Sequence, residues 1–353
     1  GCIDPVRAPP NDFGKYRLPV NFIIVALIFI VLLLSGAPIF VVISGLALYL
    51  FHSSMIDTSA IIIEMHRMAT TPVLVAIPLF TFAGYLLSES GAPKRLIRFS
   101  DAILGWLPGG LAFIALITCA VFTALTGATG LTIIALGGLL LPAMQRGNYP
   151  EKFSLGLLTT SGTLGLLFPP SLPLIIYAIV AKVRIDHLFI AGILPGLLLI
   201  MILSLFSVKK AVQARVPKTE FKAAMVKTAL RDAVWELPLP FIVLGGIYTG
   251  YFAVSEAAAA TAVYVIVIEV LVYRDVQWRD IPGIMCKSMV LVGTIVIILG
   301  AAMGLTNYLI DEQIPMLLLD YIKAHIANRF LFLMVLNIFL LAVGCTCLLY
   351  TSD

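Results

Sequence analysis

Thr159-Thr160-Ser161-Gly162-Thr163-Leu164-Gly165-Leu166-Leu167-Phe168-Pro169-Pro170-Ser171-Leu172-Pro173 lies between two apolar stretches. A soluble loop is not this apolar. An unbroken membrane helix does not carry three prolines at its centre, because each removes a donor and clashes with the preceding turn. In hydrocarbon, every freed backbone group costs several kcal/mol unless protein or a water-filled cavity satisfies it. Broken helices of this kind mark ion and substrate sites near the membrane midplane in transporters. The stretch therefore predicts an all-α polytopic membrane protein and points to the transport class.

Composition agrees. The 353 residues are 61% hydrophobic and only 12% charged, against about 25% charged in soluble domains. The net charge of +4 is explained by basic loops facing the cytoplasm and indicates no nucleic-acid partner. All 23 Lys and Arg residues fall in loops or at the edges of apolar segments, and the four histidines lie in similar places. The five cysteines have no paired metal-site spacing, so neither a metal nor a disulfide is expected. Residues 1–19 read as a polar N-terminal tail without a cleavable signal.

Outward from the break, apolar segments of spanning length follow one another. They are Val20–Phe51 (bending at Gly36-Ala37-Pro38), Val73–Leu87, Leu111–Met144, Ser154–Val180, Leu188–Val208, Leu237–Gly250, Ser255–Tyr273, Met289–Ile310 and a last run from Phe330 to Cys345. Ser88–Leu107 reads instead as an amphipathic interfacial helix. Trp106 and Trp235 read as interface anchors. Lys209–Asp232 carries seven basic residues and two acids, which places it in the cytoplasm. Leu111–Met144 is interrupted at Thr126-Gly127-Ala128-Thr129-Gly130. If it is a re-entrant hairpin, 18 basic residues lie in inside segments and 5 in outside ones. If it crosses fully, the earlier assignments flip and the bias weakens. Charge favours the hairpin.

An internal repeat is also visible. An apolar helix, Glu89-x-x-x-Pro93, an amphipathic stretch and the run from Leu111 match an apolar helix, Asp311-x-x-x-Pro315, an amphipathic stretch and the run from Phe330. The copies begin on opposite sides, as inverted-topology repeats do. The second copy lacks a hairpin tip, return helix and broken helix, so the chain is expected to be a fragment. Residues 20–345 form the expected membrane domain, and 346–353 are set apart as a tail, native or not.

Several motifs together carry a family resemblance. They are Ile77-Pro78-Leu79-Phe80-Thr81-Phe82-Ala83-Gly84, Gly105-Trp106-Leu107-Pro108-Gly109-Gly110-Leu111-Ala112, Leu125-Thr126-Gly127-Ala128-Thr129-Gly130, Phe168-Pro169-Pro170-Ser171-Leu172-Pro173, and Gly245-Gly246-Ile247-Tyr248-Thr249-Gly250 leading to Ser255-Glu256-Ala257-Ala258-Ala259. In this order the chain resembles the large permease subunit of tripartite ATP-independent periplasmic (TRAP) transporters, of the dicarboxylate-permease type. The resemblance implies an elevator-type fold with inverted repeats and re-entrant hairpins, the second repeat being incomplete here. It implies residence in the bacterial inner membrane, sodium as coupling ion and no other cofactor. It also implies a small four-helix membrane subunit and a periplasmic substrate-binding protein as partners. Its substrates are small organic anions such as dicarboxylates, keto acids or sugar acids. Thr126 and Thr129 stand where many members have serines.

The candidate ion- and substrate-binding residues are Thr126, Gly127, Thr129, Gly130, Ser161, Gly162, Thr163, Pro169, Pro170, Ser171 and Glu256. Sodium coordination falls to Thr126, Gly127 and Ser161, since hydroxyls and backbone carbonyls supply hard oxygen ligands without carboxylates. A helix N-terminus at the break can meet a substrate carboxylate. Each reading has a plainer counterpart. The glycines and threonines can be helix-packing contacts, Pro169–Ser171 a structural kink, and Glu256 a helix cap. Glu269 is read as interfacial.

The alternatives to the permease reading are a stand-alone carboxylate or ion antiporter of related fold and an intramembrane enzyme. The enzyme needs a nucleophile–base pair, a metal cluster or a carboxylate pair in the membrane. The apolar segments place no histidine or basic residue there.

Overall fold

The structure, a computed structural model, describes residues 27–29, 31–32, 35–107, 109–214, 216, 223–325 and 328–351. The N-terminal tail, the start of the first span at 20–26, Pro108, loop residues Arg215, Lys218, Glu220 and Lys222, and Ser352 and Asp353 lie outside the described residues. All regular elements described are helical, and the chain is a multi-pass membrane protein. Among the described residues, four helices are long and apolar enough to cross a bilayer, or five if one bent pair counts as a single span.

The described residues form two compact units. One comprises the residues up to His66 and those from Ile297 onward. It holds α1 (Ile39–Ser53), most of α2 (Ser59–Ala69), the end of α13 (Ile281–Asp311), α14 (Ile314–His325) and α15 (Arg329–Thr351). α1 starts after Pro38, and the bend expected there is present, with Gly36 at φ +83°. Its Ala47, Leu50 and Phe51 pack with Ile61 and Tyr308. The Phe51 and Tyr308 rings lie 5.5 Å apart, and the Tyr308 hydroxyl is 2.9 Å from Ser54 Oγ. α13, α14 and α15 repeat the order of spanning helix, short helix and apolar helix expected of the second copy.

The other unit, Arg67–Val296, carries the candidate site. A 3₁₀ turn at Pro72–Val75 leads into α3 (Ala76–Glu89), and the two together make the span Pro72–Glu89. Ser90 and Gly91 end it, and Pro93 opens α4 (Ala92–Leu104), since proline fits a first turn. α4 is the expected amphipathic helix: Ala92, Pro93, Leu96 and Ser100 are buried while Lys94 and Arg98 face out.

α5 (Gly110–Thr126) and α6 (Thr129–Arg146) form the expected helical hairpin. Gly109, at its open end, lies against Ala211, and Gly147 lies against Leu111. Both open ends therefore sit together, beside the end of α9 (Ile185–Gln213) that carries Lys209 and Lys210. That is the geometry of a hairpin that enters and leaves on one side. Before α9 run α7 (Glu151–Leu164), a 3₁₀ turn at Gly165–Leu167, and α8 (Leu172–Ala181). The axis bends by 44° across the break. α9 is the longest exposed span of this unit, with Leu194, Leu205 and Ile190 among many outward apolar side chains, as suits a lipid-facing helix.

Three readings are corrected. Lys209–Asp232 is not simply a loop: α9 continues to Gln213 and α10 covers Ala223–Asp232. The expected span Leu237–Gly250 is only an 11-residue helix, α11 (Pro238–Tyr248), about 16 Å long at 1.5 Å per residue and too short to cross alone. Glu269 is not interfacial. It is fully buried on a π-helical segment, Val267–Val272, that extends α12 (Val254–Ile266), and it pairs with Arg95 of α4. Trp106 and Trp235 are about half exposed at helix ends, as expected of anchors.

Candidate functional site

The hairpin tip is built from threonines three residues apart. Thr123 and Thr126 end α5, and Thr129 and Thr132 open α6. This spacing keeps each pair on one helix face, and the turn folds the two faces together. Thr123 Oγ1 donates to Thr132 Oγ1 over 2.8 Å, and Thr132 Oγ1 donates in turn to the Ala128 carbonyl over 3.2 Å. Thr126 Oγ1 lies 3.3 Å from Thr132 Oγ1. Thr123, Thr126 and Thr132 are all fully buried. Hydroxyl oxygens have two lone pairs each, so the cluster keeps acceptor capacity after its own bonds are made.

Gly127 turns the chain. Its φ of +67° is left-handed, where a side chain is disfavoured, and a Cβ there would meet Leu172 Cδ1 at 2.7 Å. The tip therefore abuts the first residue of α8. On the other side of the break, Gly165 approaches Ala120 and Thr123 of α5, and Gly162 lies against Ile133, with the Thr129 carbonyl beyond it. Gly84 of α3 closes the third side: a Cβ there would lie 2.9 Å from Thr126 Cβ.

The structure thus brings Thr126, Gly127, Thr129 and Gly162 into one neighbourhood. Ser161 and Ser171 are both fully buried in the flanking break. Ser161 Oγ donates to the Leu157 carbonyl at 2.5 Å, and Ser171 Oγ to the Leu166 carbonyl at 2.6 Å. Both oxygens retain lone pairs. Pro169 and Pro170, joined by a cis peptide bond, are buried. Pro169 and Phe168 line an apolar cavity of about 410 Å³ shared with α5, α9 and α11, which suits hydrocarbon and not a carboxylate.

Other candidates stand apart. Gly130 is exposed, and a Cβ there would meet nothing within 4 Å. Thr163 is exposed and donates to the Thr160 carbonyl. Glu256 is exposed at the start of α12, where its Oε2 accepts the Ala253 N–H at 2.9 Å. That is the capping geometry.

Thr123 and Thr132 are not among the residues the sequence singles out. Their signal is the repeat Thr123-x-x-Thr126-x-x-Thr129-x-x-Thr132. Chemically, the arrangement offers neutral oxygens at helix C-terminal ends and first-turn backbone N–H groups, which have no intrahelical partner, at the N-terminal ends of α6 and α8. Carbonyl ends favour a cation and N–H ends an anion. Among the described residues, no group of three His, Cys, Asp or Glu is arranged to hold a metal ion.

Comparison with known proteins accords with this geometry. The family described as tripartite ATP-independent periplasmic transporter, DctM component, matches residues 26–350, and so runs into the segment set apart as a tail. The C4-dicarboxylate TRAP transporter large permease protein DctM of Rhodobacter capsulatus is 34% identical over 332 residues, covering 89% of this chain and 75% of that protein. The ectoine/5-hydroxyectoine large permease protein UehC of Ruegeria pomeroyi is 34% identical over 83% of this chain and 69% of its own. The sialic acid large permease protein SiaM of Vibrio cholerae is 30% identical over 77% and 64%. The family is a transporter subunit, which rules out the enzyme reading. The chain belongs to the DctM family, the large permease component of TRAP transporters.

Proposed function

We propose that this permease component works in sodium-coupled, elevator-type import of a small organic acid. The observation that carries the reading is the meeting of an uncharged threonine cluster with a broken helix, where two helix N-termini and two C-termini converge. A cation there would find hydroxyl and carbonyl oxygens around Thr126, Gly127 and Ser161. A substrate carboxylate would find N–H groups at the starts of α6 and α8. Gly162 and Ser171 shape the facing wall. Thr129 borders it, Gly130 and Thr163 stand at its outer edge, exposed, and Pro169 and Pro170 hold the break open. The cap on α12 leaves Glu256 as a structural residue.

The named substrates of the relatives, C4-dicarboxylates, ectoines and sialic acid, share a carboxyl group, and a carboxylate is the feature this site would read. A small four-helix membrane subunit and a periplasmic binding protein are the proposed partners, the second delivering the substrate. Residues 20–345 act as the membrane domain in this assembly. A stand-alone antiporter is disfavoured by the family, whose members act with separate binding components.

Proteoliposomes containing the permease, its small subunit and the binding protein test this. Uptake is expected to need an inward sodium gradient. The double substitution Thr126→Ala with Ser161→Ala should raise the sodium concentration for half-maximal uptake about tenfold or more while leaving protein yield near normal. Sodium activation unchanged in the double variant would overturn the assignment of these two residues.

A further inference from the structure

Away from the hairpin tip, one guanidinium is surrounded by three carboxylates. Arg95 Nε donates to Glu236 Oε1 at 2.5 Å. Its Nη2 reaches both oxygens of Glu269, at 3.1 and 2.9 Å, and its Nη1 donates to Asp275. The Arg95 plane also stacks over the Tyr273 ring at 3.8 Å. Fully ionised, the group would hold one positive and three negative charges. Asp275 is partly exposed, its side chain at 31%, and can be screened by water. Glu236 and Glu269 cannot, at 4% and 0%. Burial of like charges at close range is costly unless one is neutralised.

Two further observations locate the neutral partner. Glu236 Oε2 is buried with no hydrogen-bond partner among the described residues, and the Glu236 and Glu269 carboxyls are held on the same guanidinium, through Arg95 Nε and Nη2. Two ionised carboxylates are both acceptors and cannot bond to each other. Among the described residues, Glu236 is also the only polar side chain lining an otherwise apolar cavity of about 370 Å³, bordered by Leu96, Phe122, Leu125 and Leu239. Among the described residues, the other groups facing Glu236 are Tyr264 and Tyr273, which donate to the carbonyls of Trp235 and Asp232, and Ser90, beside Glu269. None supplies a second cation. The described acids are not arranged to hold a metal ion.

We propose that Glu236 is a proton-binding site, its protonated carboxyl donating to the Glu269 carboxylate and completing the clamp by which Arg95 ties α4 to the π-helical end of α12. One proton taken from water supplies the missing donor and removes one of the excess charges.

Glu236 lies in the turn between α10 and α11, outside the spans, and burial pushes its carboxyl up to about 8 from the ordinary 4.5. Between those values the folded protein holds a proton that the unfolded chain has lost. The clamp's contribution to stability is complete below pH 4.5 and is lost as pH rises through about 8.

Infrared spectra and thermal unfolding of the purified permease, taken at fixed sodium across that window, test the site. Wild type should show a protonated-carboxyl C=O band at neutral pH that disappears above pH about 8, and its melting temperature should fall over the same range. E236Q, whose amide can donate to Glu269, should lack the band and lose most of the pH dependence. E269Q, which changes the acceptor, should shift the band's frequency, and this keeps the test open if E236Q fails to fold. Absence of the band in wild type at neutral pH would overturn the proposal. So would an unshifted band in E269Q, or a pH dependence in folded E236Q equal to that of wild type. An ionised pair whose stability follows sodium and not pH would put a cation there, and would overturn it equally.

Discussion

The hairpin tip and the Arg95 clamp lie in the same compact unit and bury polar atoms in opposite ways. At the tip, Thr123, Thr126 and Thr132 bring no formal charge, and their hydroxyls bond one another and a backbone carbonyl. At the clamp, charged groups are buried together with their own counter-ion. The difference decides what each can do. Neutral oxygens desolvate at modest cost and retain lone pairs, so a cation can enter and leave. A site that carries its own arginine is already occupied, and its chemistry lies in the one proton that balances it. The tip suits a reversible ligand, and the clamp suits a fixed joint.

The largest effect is expected where the counter-ion is removed. Arg95→Met leaves Glu236, Glu269 and Asp275 without a cation, and breaking a buried pair from one side costs about 3–5 kcal/mol. Folded yield and melting temperature in detergent should drop sharply. Arg95→Lys should fall between, because an ammonium restores charge but cannot match the guanidinium fork that reaches three carboxylates. A melting temperature for Arg95→Met equal to wild type at neutral pH would show that the clamp is not a joint, and the contrast with the tip would collapse.

A smaller loss is expected where the tip is packed backbone to backbone. An alanine at Gly84 would place its Cβ 2.9 Å from Thr126 Cβ and closer still to Thr126 Cα. The neighbour here is main chain and cannot swing aside, so overpacking of about 1–3 kcal/mol follows. Displacement of Thr126 should also weaken sodium activation in the reconstituted transporter. Gly138→Ala serves as the control, since nothing lies within 4 Å of that position. Equal behaviour of the two alanine variants would mean that α3 does not hold the tip in place, leaving the threonine cluster to its own bonds.

Much of the fold could be read directly because a membrane imposes long apolar segments and punishes irregular backbone. Phe168–Pro173 and Thr126–Gly130 were visible as breaks for that reason, and the basic count predicted a hairpin whose ends meet, as Gly147 and Leu111 do. The site was legible at its turns but not in its depth. Thr132 lies a full helical turn beyond the tip, and only the fold of α6 onto α5 makes it the hub. Glu269 was misread because its neighbours Tyr273 and Arg274 mark a boundary along the chain, whereas burial is set by α4, which lies over 160 residues away in sequence. Arg95 likewise looked like one more basic residue on an interfacial helix. No local pattern announces a partner that tertiary packing supplies. The shortness of α11 was hidden for another reason: Thr249 and Gly250 carry no charge to mark a boundary after Tyr248, but the helix ends there, with Gly250 at φ +76° just beyond it.

The smallest effect separates two roles for one acid. Glu256 is an acid beside the apolar segments, and such a residue invites a binding role. Its carboxylate accepts the Ala253 N–H, three residues back, and it sits in the first turn of α12 where negative charge meets the helix dipole. A cap of this kind at an exposed position contributes roughly 0.5 kcal/mol. Glu256→Ala should therefore lower the melting temperature slightly, and Glu256→Gln, which keeps an acceptor at the same reach, should lower it less. Neither should change the sodium dependence of uptake if sodium binds at the tip as proposed, because the oxygens there, from Thr126, Thr132 and the Ala128 carbonyl, include no carboxylate. A loss of sodium activation in Glu256→Ala without loss of yield would carry the acid into the ion site. It would then have to be placed beside the threonine cluster in some other conformation, and the division between an uncharged tip and a charged joint would no longer hold.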